Sequence, residues 1–152
     1  MPQLNSEAFS DMLSAGAIIA GFGATFLAFR VQREAEFYRL PGHTQFNEQH
    51  FTTSFLLIIV ATSVAVLAGV VIPLLALQGL APACVTPRVA ASGLLGSIVL
   101  MVGYFFDELV HYRIIFGDWR SRLDDEWQRE TPILCGSLVI AIGVIVFVNW
   151  AS

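Results

Sequence analysis

VAASGLLGSIVLMVGYFFDELVHYR, residues 89–113, decides the fold. From Val89 to Phe106 no side chain carries a charge. A helix of about 20 apolar residues crosses the ~30 Å hydrocarbon core of a bilayer, so the stretch reads as a membrane span. Ser92, Gly93, Gly96 and Ser97 give it a small-residue face on which a neighbouring helix can pack closely. Asp107, Glu108 and His111 follow where the helix is about to leave lipid. The spacings of three and four place them on one broad helix face.

Three more runs of the same kind surround this one, at about 12–30, 51–76 and 132–150, the quoted span being about 88–109. The first is expected to start at a cap on Asn5 or Ser6 and to continue as helix through RVQREAEFYRL to about Leu40, because no Gly or Pro interrupts it before Pro41. It would then project beyond the bilayer by about two or three turns. The second run carries Pro73, which should kink or end it. Thr86-Pro87 and Thr131-Pro132 each read as a cap followed by a proline in the first helical position. Between the third and fourth runs, residues 118–129 place Trp119, Leu123 and Trp127 on one side of a short helix of interfacial character. The expected fold is therefore all-α: residues 1–152 form a single integral-membrane four-helix bundle. The first helix has a cytoplasmic extension, and a short interfacial helix precedes the fourth.

Composition agrees. The chain is 56% hydrophobic and 13% charged, with a mean hydropathy of +0.71; soluble domains carry roughly a quarter charged residues. All 8 basic residues are arginines and none clusters into a basic run, which argues against a nucleic-acid partner. No Arg or Lys precedes the first apolar run, so that run is expected to stay as a span and not to be cleaved as a signal. Arg30, Arg33, Arg39, Arg113, Arg120, Arg122 and Arg129 lie in the first and third loops, against Arg88 alone in the second. The positive-inside rule then puts both termini outside the cytoplasm, in a membrane of the bacterial inner-membrane type. Cys84 and Cys135 fall on opposite faces and are not expected to form a disulfide.

The site candidates are Asp107, Glu108 and His111, as groups that bind or pass ions. Arg30, Arg33, Glu34, His43, Glu48 and His50 fall on the same side of the membrane and are their candidate partners. Arg30 and Arg33 could neutralise the two carboxylates. Glu108, His111 and His50 could instead hold a divalent metal, with His43 and Glu48 completing the set; Glu108-x-x-His111 has the spacing of di-iron bundles but occurs once. Proton handling is a third use of the cluster. No P-loop, Gly-x-Ser-x-Gly or zincin motif is present, which leans away from an enzyme. In the first helix Gly16, Ala20, Ala24 and Ala28 recur every four residues as a helix-packing stripe. These features favour a homo-oligomeric ion channel or pore in contact with membrane lipid. The alternatives are a non-catalytic subunit of a larger membrane complex, and a membrane metal-binding protein or metalloenzyme built on the cytoplasmic His and carboxylate cluster.

Overall fold

A helix satisfies its own backbone N–H and C=O groups internally, which is what an apolar segment would need in lipid. The computed structural model describes residues 2–37, 53–82, 85–111 and 126–151, and among these there is no strand. The helices are α1 (Pro2–Phe37), α2 (Thr53–Val66), a π-helical turn (Leu67–Val71), α3 (Ile72–Leu77), α4 (Pro87–His111) and α5 (Glu126–Trp150). α2, the π turn and α3 run on as one rod. Four stretches are long and apolar enough to cross a membrane: Ser6–Arg33, Phe55–Leu77, Pro87–Val110 and Thr131–Trp150.

The rods alternate in direction, and α4 sits at the centre. Half of its apolar window is buried (50%), against 11% in α1 and in α5. The α2 rod lies beside it, α1 packs mainly on the α2 rod, α5 packs mainly on α4, and α1 and α5 do not pack on each other. Leu57, Ile58, Ala61, Leu100, Met101, Tyr104 and Ala141 fill the space between. Glycines set the close approaches. A Cβ on Gly16 would run into the backbone of Gly69, one on Gly93 into Ala68, and one on Gly103 into the side chain of Ser137. Large apolar side chains point outward instead, among them Ile18, Phe22, Phe29, Val102, Val139 and Phe147.

Several helix ends differ from the sequence expectation. α1 begins at Pro2 and not at a cap on Asn5 or Ser6, because a proline costs nothing in a first turn whose N–H groups have no partner anyway. It continues past Arg30 to Phe37; its expected end near Leu40 lies outside the described residues. Pro73 does not end the second rod. The π turn directly before it widens the helix, with Ile72 N–H bonding to the Leu67 carbonyl, and the ring is accommodated there. The break expected at Thr131-Pro132 does not occur: α5 starts at Glu126 and carries Pro132 inside it. The expected interfacial helix, 118–129, is thus continuous with α5 over its last residues, and the rest of it lies outside the described residues.

Thr86 does cap α4. Its hydroxyl accepts from Val89 N–H at 3.4 Å, and its carbonyl accepts from the same N–H at 3.0 Å. The hydroxyl bond is long, so Thr86→Ala is expected to cost only about 0.5 kcal/mol, the low end for a lost cap. Thermal unfolding followed by circular dichroism in detergent checks this; no shift in the midpoint would mean that the backbone bond alone holds the turn.

Candidate functional site

Consecutive residues on a helix point about 100° apart, so Asp107 and Glu108 leave α4 in different directions. Glu108 lies one turn beyond Tyr104, on the side that meets α1. Its Oε1 accepts a hydrogen bond from Arg30 Nη1 at 2.6 Å, and the two side chains are only 5% and 15% exposed. A charge-assisted bond of this length is among the stronger kinds of side-chain contact. It joins Arg30, about two turns before the end of α1, to the last turn of α4, which runs in the same direction, and so fixes how far along α4 the first helix sits. Arg30 can reach inward because α1 keeps a narrow face for the core: among its described side chains Phe9, Gly16, Ala20, Gly23 and Arg30 are the buried ones.

Asp107 lies one turn beyond Gly103, on the side where a Cβ at Gly103 would meet Ser137 of α5 and approach Leu57 of the α2 rod. It is 1% exposed. With Arg30 it makes up the buried charged residues among those described. Ionisable groups inside apolar helices are costly, up to roughly 2.5–3.5 kcal/mol at a bilayer centre and less toward its surface, so they are kept where they face protein. Asp107 is enclosed by protein, and Glu108 is turned to Arg30.

The structure therefore brings Arg30 and Glu108 together and buries Asp107 on another side of α4. It leaves Arg33 exposed. The side chains of Glu34 and His111, and all of His43, Glu48 and His50, lie outside the described residues. The metal set Glu108, His111 and His50 falls largely outside them too; among the described residues no three His, Cys, Asp or Glu side chains gather. Tyr104 belongs to the cluster although sequence reasoning gave it no role. It is 6% exposed and within electrostatic reach of Glu108, Arg30 and Arg33. Its spacing of four from Glu108 was the available signal.

A second polar contact closes the opposite end of the α4–α5 pair. Asn149 Nδ2 donates to Ser92 Oγ at 3.0 Å and to the Ile145 carbonyl at 2.7 Å, while Ser92 Oγ donates to the Val89 carbonyl at 2.9 Å. Ser97 and Thr62 return their hydroxyl protons to their own helices, at 2.7 Å each, which lets them sit in an apolar core.

The packing stripe divides. Gly16 and Ala20 are buried, and Ala24 and Ala28 are exposed. A repeat of four drifts by about 40° per step on a helix of 3.6 residues per turn, so between Gly16 and Ala28 it moves about a third of the way around α1. Comparison with protein-family models, with curated proteins and with solved structures finds no match for this chain.

Proposed function

We propose that the protein is a homo-oligomeric ion channel or pore, placed in a bacterial inner membrane with both termini outside the cytoplasm. The observation that carries this reading is the outer surface of α1, which is split in two. One outward strip holds Ile18, Phe22 and Phe29, between 60% and 65% exposed, as a lipid-facing surface should. About a quarter turn away, a second exposed strip holds Ser10, Ser14, Ala17, Gly21, Ala24 and Ala28, alternately four and three residues apart. Lipid gives no reason to keep one strip small beside another rich in Phe, whereas a second helix approaching closely does. The interior of each protomer is filled by side chains, so a conducting path would run along the axis between copies. Ser14 and Thr25, which donate to the carbonyls of Ser10 and Gly21, keep hydroxyl lone pairs that could face such a path.

Ala24→Leu with Ala28→Leu tests the reading. Both positions are exposed, so the protomer is expected to fold as before. Overpacking at a close contact costs on the order of 1–3 kcal/mol, enough to lower assembly about tenfold or more. Native mass spectrometry should show the oligomer lost, and ion flux into proteoliposomes should fall with it. Wild-type protein that is monomeric in mild detergent and in bilayers overturns the proposal. Foreign subunits that co-purify in fixed ratio would favour the non-catalytic subunit instead.

A further inference from the structure

We propose that Leu67–Val71 is a hinge built into the second membrane rod, about which Ile72–Leu77 swings against α1 with the Gly16–Gly69 crossing as its fulcrum. The inference is independent of the pore reading. Pro73 has no N–H to offer the carbonyl four residues back, that of Gly69, and its ring would strike that carbonyl in a regular helix. The helix answers with a π turn, which replaces the four-residue bond by the five-residue bond from Ile72 N–H to Leu67. A sharp bend or a change of helix type at a proline, a glycine and a π turn together marks the place where a rod is least continuous.

What surrounds the turn fits a pivot. The Gly69 carbonyl lies against Gly16 of α1, and a Cβ on either glycine would collide with the other's backbone. Two bare backbones in contact have no side chains to interlock, so one can roll on the other. Beyond the turn, α3 is held on one side only. It packs on α1, barely on α4 and not on α5, and Leu74, Leu75 and Leu77 face outward. The segment then ends at Gly79, whose φ of 72° lets the chain turn away sharply. By contrast, the rod before the turn is locked in the core by Leu57, Ile58, Ala61 and Ala65, each 1% exposed or less.

Spin labels measure the motion. Ser63→Cys and Leu75→Cys, both exposed, straddle the turn in protein whose Cys84 and Cys135 are replaced by Ser. Cys135 with Phe147→Cys, at the same sequence spacing and also exposed, gives the control on uninterrupted α5. Both pairs should centre near 18 Å, at 1.5 Å per residue. With labelled protein diluted in unlabelled protein in bilayers, we expect the distance distribution across the turn to be about twice as wide as the α5 control, and Pro73→Ala to narrow it by restoring the missing donor. A distribution as narrow as the control overturns the proposal. So does a broad one that folded Pro73→Ala protein leaves unchanged. If Pro73→Ala fails to fold, the comparison of the two wild-type-background pairs decides by itself.

Discussion

Arg30→Ala is expected to cost about 3–5 kcal/mol of fold stability, the range for removing one partner of a buried ion pair. The cost comes less from the lost 2.6 Å bond than from what is left behind. Glu108, only 15% exposed with Arg30 in place, would be left one turn from buried Tyr104 with its cation gone. Removing the carboxylate instead, by Glu108→Gln, leaves the guanidinium in the same place with a neutral acceptor, which is expected to cost less, about 1–3 kcal/mol. Replacing both members by apolar residues of similar bulk, Arg30→Met with Glu108→Leu, should return most of the loss, since a buried pair is often no better than a packed apolar pair. Thermal unfolding of the four proteins in one detergent gives the order. If Arg30→Ala melts with wild type, the pair is decoration, and α1 is held by its glycine contacts alone. If the double variant is as poor as Arg30→Ala, the two charges are needed for something other than each other.

The reading from residues reached the four helices easily, since an uncharged run the length of a bilayer has few other uses. It reached the site in part. Asp107 and Glu108 stood out because charge at the end of a span is conspicuous, and Arg30 because it leaves the first span at the same depth. Which carboxylate meets which helix was not legible. That depends on the rotation of α4 about its own axis, which the packing of Gly103 on Ser137 sets from the other side. Local chemistry sets a helix end only where tertiary context does not override it. Thr86-Pro87 caps a helix as its residues suggest, whereas Thr131-Pro132 does not, because the residues from Glu126 onward are already helical. The π turn could not be read at all. Pro73 announced a disturbance, but its remedy depends on what lies beside Gly69, a helix more than fifty residues away in sequence.

The glycines of this chain divide in the same way, and the division predicts the second large effect. Gly16→Ala is expected to destabilise the fold by about 3 kcal/mol, the upper end for overpacking. The added methyl would meet the Cα, carbonyl carbon and carbonyl oxygen of Gly69, which are backbone and cannot turn aside as a side chain would. The α2 rod would have to move as a body, and it is held on its other side by α4. Gly143→Ala is the counterpart on α5. A Cβ there meets nothing within 4 Å, so only intrinsic propensity changes, and alanine is favoured in a helix by about 1 kcal/mol. The two variants make the same chemical change in apolar helices and should move stability in opposite directions, by about 3–4 kcal/mol between them. Gly23→Ala should fall between, because its methyl would press on the side chains of Thr62 and Met101, and the methionine can give way. Reversible unfolding by titration from mild into denaturing detergent reads all three on one scale. Equal effects for Gly16→Ala and Gly143→Ala would mean that α1 and the α2 rod do not touch at this crossing. The fulcrum proposed for the hinge would then be lost together with the contact that defines where α1 sits.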